Sequence, residues 1–439
     1  MEERIEPRVL KGFRDFLPGQ ELPRKHIISI LERTFSQYGF VPIDTPVLEY
    51  TEVLLGKGGG ETDKQIYRFT DHGGRDVSMR YDLTVPFARF MAAHSNELYL
   101  PFKRYHIGKV YRGENTQRGR YREFVQCDFD LVGVDSASAD FEILLLMHRS
   151  FGNLGVDDVS FHIAHRGVFN RFLDQLSLRE RSEEILRIVD KLAKIGREKT
   201  KEQLAAIASD GVAERLLDYI TRKASNEETL ANIEELSGGQ SDESGRLRSI
   251  LSWARELGIE ERFVLDPSIT RGLDYYTGIV YETFLDKLPE IGSVCSGGRY
   301  NNLASLYTKE LLPGVGSSIG LDRLVAALDE MKRLPVESSS TDVLIFCMDE
   351  SLFGHYHSLA EQLRVAGIAA EVYPENRKLP AQFTFAEKKR IPIGIFCTAA
   401  ERENGVVNVR QLASRQNRDG LKLDDAVAHI TSLLSQSRV

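Results

Sequence analysis

YREFVQCDFDLVG, residues 121–133, decides how the rest of this chain is read. Successive side chains on a β-strand point to opposite faces, so the stretch sorts by parity. Val125, Cys127, Phe129 and Leu131 make an apolar face suited to packing against a helix. The other face carries Arg122, Phe124, Gln126, Asp128 and Asp130: a cation, an aromatic ring, an amide and two acids. A half-exposed strand also alternates, with an outward face that is solvated and inert. That simpler reading accounts for Arg122 and Asp128, but poorly for Phe124 among polar neighbours. Upstream, FKRYHIGKVYRGE (102–114) predicts a second strand with Arg112 and Glu114 near its end. NTQRG (115–119) is a polar loop joining the two as a long hairpin. The resulting platform, an aromatic shelf with arginines and acids, suits a nucleotide and a cationic small molecule.

The totals bound the answer around that platform. At 439 residues the chain is too long for one ordinary core, and two or three domains are expected. A 42% hydrophobic and 28% charged composition is that of a soluble globular protein. The longest apolar runs, such as residues 343–348, are far too short to span a bilayer. The start, MEERIEPRVLKGFRDF, is charged and has no apolar core of a secretory signal, so a cytoplasmic location is expected. Net charge of −8 argues against a surface coated in basic residues, although local basic stretches can still contact phosphates. Cys127, Cys295, Cys347 and Cys397 are widely spaced in apolar runs, with no CxxC or Cys/His ligand spacing. Neither a zinc site nor a disulfide framework is supported, and buried free thiols are expected.

Taken in order, residues 21–38 carry apolar side chains at helical spacing, and Gly39 ends the run. FVPIDTPVLEY (40–50) then predicts extended structure at a sheet edge or an interface. This opening helix and strand suit ordinary core and a dimer element equally. GKGGGE (56–61) lacks the spacing and context of a phosphate loop and reads as a loop near a ligand. In RYDLT (80–84), Asp82 and Thr84 share parity, and both can face one cavity from a strand end; the simpler alternative caps the following helix with Thr84 and leaves Asp82 on the surface. Pro86 suits the first turn of that helix. His162 and His165 have no metal partner at usual spacing and read as structural. Residues 172–261 are charged amphipathic helices with no strand signal, an inserted helical module.

Strand signals return at Phe263. ITRGLDYYTGIVYETF (269–284) sets Arg271, Asp274, Tyr275 and Tyr276 between glycines that permit close backbone approach. GSVCSGGRYNNL (292–303) repeats the style, with a double glycine before Arg299 and Tyr300. GVGSSIGLDRLVAALDEM (314–331) runs from a small-residue strand into a helix with Arg323 in its first turn, where the macrodipole disfavours a cation. A bound anion is the favoured compensation, ahead of Asp322 and solvent. LPVESSS (334–340) is a short linker. The roughly 100 residues beyond it alternate β and α, which predicts a small α/β domain around a buried sheet.

Together these segments resemble the class II aminoacyl-tRNA synthetases, and within them the histidyl-tRNA synthetase family. KGFRDFLPG and FVPIDTPVLEY resemble the family's N-terminal signature and dimer-forming first motif. YRGENTQRGRYREF and GVGSSIGLDRL resemble the second and third class motifs, while RGLDYYTGIVYE and CSGGRYNNL resemble the two segments special to the histidine enzymes. RYDLTVPFAR resembles the form found in eukaryotes and part of the bacteria.

The resemblance implies a mixed α/β chain. Its catalytic domain would be an α+β unit on an antiparallel sheet flanked by helices (1–171 and 262–334), with a helical insertion (172–261) and an α/β anticodon-binding domain (341–439). It implies a cytoplasmic homodimer that activates L-histidine with ATP and Mg²⁺ to histidyl-adenylate and pyrophosphate. Histidine would then pass to the 3′ end of tRNA(His), with no membrane and no DNA as partner. Phe124 would stack on adenine and Glu114 read its amino edge. Arg112 would hold the α-phosphate, and Arg120 and Arg323 the outer phosphates. Asp82, Thr84 and Gln126 would take the substrate's α-amine. Asp130 and Tyr276 would bracket the imidazole nitrogens, with Tyr300 lining the pocket and Arg271 holding the carboxylate against the α-phosphate. Arg112 and Arg271 would be the catalytic pair, with no protein-bound metal. Because hydrogen bonding to polar groups rejects analogues lacking them by on the order of 10⁴, no editing domain is required.

Asn301 departs from the Asp often found after GGRY in the family, which would perturb one pocket edge weakly. Gln117 and Arg118 are candidates to meet the acceptor end of the tRNA. The alternative is a non-charging, synthetase-like regulatory subunit of histidine biosynthesis. It would be expected to lose Arg271 or the third motif and to lack the C-terminal domain, all of which are present here.

Overall fold

The computed structural model describes residues 4–56, 65–269, 275–334 and 339–437. The chain divides into two compact units, Met1–Asp15 with Arg24–Leu334, and Phe16–Pro23 with Pro335–Val439.

A long helix, Pro18–Gln37, belongs to the larger unit from Arg24 onward and is followed by β1 (Val41–Pro42). A small antiparallel sheet contains β2 (Leu48–Tyr50), β3 (Arg68–Thr70) and β4 (Asp76–Met79), in the order β2-β4-β3. The hairpin anticipated from residues 102–133 is present as β5 (Phe102–Tyr111) and β6 (Glu123–Val132), paired antiparallel from Phe102 opposite Val132 to Tyr111 opposite Glu123. With β7 (Val159–His165), β8 (Phe263–Leu265), β9 (Ile279–Leu285), β10 (Cys295–Arg299) and β11 (Gly314–Gly320) they form an eight-stranded sheet, β1-β5-β6-β11-β10-β9-β7-β8. It is antiparallel at its centre and parallel only at the two edges, β1 on β5 and β7 on β8.

The parity of β6 holds. Cys127, Phe129 and Leu131 are buried in a core with Ile27, Leu31 and Phe35 of the long helix, and the Phe35 and Phe129 rings lie 4.9 Å apart. Gly39, at φ 77°, turns the chain out of that helix where a Cβ would be strained. The opposite face of β6 can carry acids because its neighbour β11 is built of small residues. A Cβ at Gly316 would lie 1.9 Å from Asp130 Oδ1, and one at Gly297 of β10 would lie 2.1 Å from the Gly316 carbonyl and 2.6 Å from the Tyr281 ring. The glycines are therefore the space that the acid and the tyrosine occupy.

Residues 80–84 differ from expectation. β4 stops at Met79, and Thr84 opens the helix Thr84–His94. Pro86 favours the first turn of that helix, so Asp82 and Thr84 sit on a turn and a helix start and not on a strand end. Asp82 is buried and supplies the cap itself, its Oδ1 accepting from the Val85 N–H at 3.1 Å. Between β7 and β8 every described element is helical. Its apolar stripes (Ile185, Leu216, Ile233, Leu247 among them) enter the same core as the sheet, leaving the charges outside. His162 pairs with Asp266 at 2.7 Å, and His165 Nδ1 accepts from Gly167 N at 3.0 Å, both structural contacts.

The smaller unit carries a five-stranded mixed sheet, with β12 (Val343–Ile345), β13 (Ala370–Val372), β14 (Ile393–Phe396), β15 (Val406–Gln411) and β16 (Asn417–Lys422) in the order β13-β12-β14-β15-β16. β12 is parallel to both its neighbours, and β14–β15–β16 run antiparallel. The edge strand β16, NRDGLK, was not anticipated: it is almost wholly exposed and lacks the apolar alternation that marks a strand. All four cysteines are buried and free. Among the described residues no helix is long and apolar enough to cross a membrane.

The close approach at β10 gives a direct test. Gly297→Ala forces a methyl group into the Gly316 carbonyl, and overpacking of this kind costs about 1–3 kcal/mol or more. The expected result is a lower urea midpoint with an unchanged denaturant slope.

Candidate active site

Two regions of the sheet's polar face adjoin along β6. The outer one is a cleft of about 160 Å³ whose lining includes Arg112, Glu114, Arg120, Phe124, Gln126 and Arg323. Arg112 leaves the end of β5, its Nε donating to the Tyr81 carbonyl at 2.9 Å, which aims the guanidinium over Phe124 with Cζ 5.2 Å from the ring centroid. Arg120 is held by a pair of backbone hydrogen bonds with Gln117, 3.1 and 2.9 Å long. Gly119, at φ 68°, lets that loop lie against the backbone of Arg323, whose Cα would be 3.2 Å from a Cβ there.

Arg323 donates to the Ser293 carbonyl. Burial and then the nearby Arg120 lower its pKa to about 10, against the pull of Glu114 and Glu282. Its neighbour Asp322 offers it nothing. Asp322 Oδ1 accepts from Arg14 at 2.9 Å and Arg24 at 2.7 Å, and its Oδ2 accepts from the Val125 N–H at 2.8 Å. The cleft thus concentrates three arginines, one of them over the Phe124 ring, with a low dielectric behind Arg323. An anion entering it relieves that repulsion.

The inner region is a buried group of acids. Asp82, Asp128 and Asp130 are 1%, 1% and 2% exposed, and Gln126 lies at its mouth. Tyr300 donates its hydroxyl to Asp130 Oδ1 at 2.5 Å. Arg104, directly opposite Asp130 across the hairpin and wholly buried, places Nη2 2.8 Å from Asp130 Oδ2, close enough for an ion pair though not aligned as a hydrogen bond. Gln126 donates to Ser318 at 2.7 Å. Among the described residues, Asp82 Oδ2, Gln126 Oε1, Asp128 Oδ1 and Asp130 Oδ2 are buried without a hydrogen-bond partner. Orphaned acceptors so close together call for a donor-rich cation.

Burial pushes the Asp128 carboxyl up to about 7, opposed by Arg104 and reinforced by Asp130. It lifts Asp82 to about 6 against the Val85 N–H, Arg112 and Arg104. Asp130 is raised in the same way, with Arg104 and Tyr300 restraining it. Tyr276 closes the group: its ring packs where a Cβ on Gly298 would lie 2.9 Å away, and it stands 5.0 Å from the Tyr275 ring in an edge-on contact. Thr84 lies beside the Tyr275 hydroxyl.

Arg112, Glu114, Arg120, Phe124 and Arg323 therefore share one cleft, and Asp82, Asp130, Tyr276 and Tyr300 share the adjoining pocket, with Gln126 between. Arg271 and Asp274, and residues 57–61 of the glycine-rich loop, lie outside the described residues. Asp128 lies on the face that its parity with Gln126 and Asp130 assigns it, and it is buried with the other acids, against the solvated alternative. Arg104 was missed altogether, because its role follows from the register that sets it opposite Asp130. Arg118 is exposed and paired with Glu330 at 2.7 Å.

Comparison with known proteins agrees in one direction. A family model described as histidyl-tRNA synthetase matches residues 12–324, and one described as an anticodon binding domain matches 342–433. A histidine–tRNA ligase of Treponema denticola is 54% identical over 402 residues, covering 90% of each chain. One from Rhodopirellula baltica is 47% identical over 423 residues, covering 94% of this chain and 95% of its own. The crystal structure of histidyl-tRNA synthetase from Nostoc sp. PCC 7120 superposes with a TM-score of 0.88 at 31% identity, covering 98% of this chain and all 100% of that one. A Bacillus halodurans protein described as an ATP phosphoribosyltransferase regulatory subunit/histidyl-tRNA synthetase shares the fold, with a TM-score of 0.76 at 21% identity over 90% of this chain and 99% of its own.

The raised acids make stability depend on pH. A carboxyl whose folded pKa lies above its unfolded value of 3.8 favours folding when protonated, and that contribution is lost as pH rises through the folded value, here about 6 for Asp82 and about 7 for Asp128. The ligand-free protein should lose thermal stability between about pH 4 and 7. Asp128→Asn should flatten that decline in calorimetric scans.

Proposed function

The chain belongs to the histidyl-tRNA synthetase family, and from that premise we propose how its cleft performs the two steps of a histidine–tRNA ligase. The enzyme activates L-histidine with ATP to histidyl-adenylate and pyrophosphate, then transfers histidine to the 3′ end of tRNA(His).

In the first step a histidine carboxylate oxygen attacks the α-phosphorus in line, a new P–O bond forms, and pyrophosphate leaves with the electrons of the broken one. Such chemistry is mostly positioning and charge stabilisation. Phe124 stacks on adenine and Glu114 accepts from its amino group. Arg112 binds the α-phosphate, and Arg120 and Arg323 the β- and γ-phosphates. Asp82, Thr84 and Gln126 receive the α-ammonium. Asp130 and Tyr276 take the two imidazole nitrogens, with Tyr300 holding Asp130 in place. Arg271 spans carboxylate and α-phosphate. Mg²⁺ enters as part of the MgATP substrate, where it offsets charge on the outer phosphates.

The observation that carries this reading is the adjacency, along one strand, of a three-arginine cleft floored by Phe124 and a buried group of acceptors without partners. A zwitterion with a cationic amine fits the second, with its carboxylate directed toward the first.

The assembly is proposed as a cytoplasmic homodimer. Leu48, Tyr50 and Phe69 are 46%, 49% and 45% exposed on one small sheet, an apolar surface suited to a second copy. The domain limits are proposed as 1–171 with 262–334 for catalysis, 172–261 for the helical insertion and 341–439 for the tRNA anticodon.

ATP–pyrophosphate exchange with each of the twenty amino acids tests the reading. Exchange with histidine alone is expected. Exchange with another amino acid overturns the Asp130–Tyr276 assignment, and silence in folded protein that still binds histidine turns the case to the non-charging regulatory subunit. Phe124→Ala should raise the KM for ATP, since base–aromatic stacking contributes about 1–3 kcal/mol. Asp130→Asn should lower kcat/KM for histidine roughly ten- to a hundredfold, as expected for loss of a hydrogen bond to a charged group.

A further inference from the structure

Behind Tyr300 lies a second charge group that the chemistry above does not use, buried at Asp140 and Arg299 and reaching the surface at Asp135. Asp140, in the first turn of the helix Ala137–Asn153, has no exposed surface, and Arg299 is 1% exposed. Asp140 Oδ1 accepts from Arg299 Nε at 2.8 Å and lies 2.6 Å from its Nη2. Asp140 Oδ2 accepts from Nε and Nη2 of Arg246 at 3.1 and 2.8 Å. Arg246 also donates to Asp135 Oδ1 at 2.5 Å, and Asp135 Oδ2 accepts from Asn301 at 2.7 Å. The group is charge-balanced, two carboxylates on two guanidiniums, and Arg246 is the member contributed by the helical module, from the helix Asp242–Glu256.

Arg299 stands between two walls of the pocket. On one side is Gly298, against which the Tyr276 ring packs; on the other is Tyr300, bonded to Asp130. The Arg299 carbonyl accepts from the Thr277 N–H at 2.7 Å, and its side chain runs 3.0 Å from where a Cβ on Gly278 would lie. Asn301 belongs to the same group, donating to Asp135 and accepting from Arg299 Nη1 at 3.1 Å. An acid at 301 would set a third carboxylate beside Asp135, which is a physical reason for the amide at this departure from the family pattern.

We propose that Arg246 is a positioning residue for the histidine pocket, linking the helical module through Asp140 and Arg299 to the walls made by Tyr276 and Tyr300; this rests on the assignment of those tyrosines to histidine. Removing Arg246 leaves Asp135 and Asp140 sharing one buried guanidinium, so Arg299 is pulled between them and its backbone neighbours shift with it. Small displacements of positioning groups carry large kinetic penalties.

The test is histidine-dependent pyrophosphate exchange by full-length Arg246→Gln. Its KM for histidine should rise roughly ten- to a hundredfold while the KM for ATP is unchanged. Arg246→Lys should recover part of the loss, because charge returns without the two-pronged geometry. Arg255→Gln, on the same helix but bonded at the surface to Glu227 and Glu260, controls for loss of helix stability and should leave both constants alone. A lower melting temperature for Arg246→Gln with an unchanged histidine KM overturns the proposal. Should that variant not fold, the histidine KM of Arg246→Lys decides in its place. Absence of histidine-dependent exchange in the unaltered protein instead refutes the assignment of the site.

Discussion

Arg104 sits with no exposed surface beside Asp130, and the same arrangement recurs twice more around the sheet, at Arg299 with Asp140 and at Arg24 with Asp322. Taking a carboxylate out of water is costly unless a partner charge goes with it. Each of these guanidiniums makes one buried acid tolerable, and each acid does a different task. Asp322 ties the helix Leu321–Glu330 to β6 and to Arg14 and Arg24, which frees Arg323 to face the cleft. Asp140 holds the strand end that bears Tyr300. Asp130 faces the pocket, and Arg104 neutralises only one side of it.

The remaining acids are undercompensated by design of the site. Arg104 is ion-paired with Asp130, while Asp82 and Asp128 feel their nearby guanidiniums only at longer range, so the ligand-free pocket holds its acids at raised pKa with several lone pairs unused. A substrate ammonium completes the balance. Binding energy is thereby placed where histidine's polar groups are, which is also where discrimination against other amino acids is needed. The neighbouring cleft has the opposite imbalance, with arginines outnumbering acids, and receives the triphosphate. A zwitterionic amino acid and a polyanionic nucleotide are oriented against each other by this change of sign along one strand.

Backbone shape makes room for these charges. Gly316 admits the Asp130 carboxylate, Gly297 admits the Tyr281 ring, and Gly298 admits Tyr276. Side chains at these positions would displace functional groups, so the small-residue strands β10 and β11 serve the site more than they serve the core.

Residue parity along 121–133 by itself determined which face of β6 carries Phe124, Gln126 and Asp130, and the apolar rhythm of residues 21–38 determined the helix that covers the other face. Both are local properties: strand and helix periods are written in consecutive residues. The helical character of 172–261 and the β–α alternation after 341 were legible for the same reason, whereas the polar edge strand β16 carried no such period. Only the tertiary structure decided that Asp128 is buried, that Asp82 caps a helix from inside the pocket, that Arg104 is the counter-charge of Asp130, and that Arg246 and Arg299 are those of Asp140. Burial and charge pairing depend on which distant segments meet, Asp140 with Arg299 or Asp322 with Arg24, and those meetings are set by register and packing across the whole sheet.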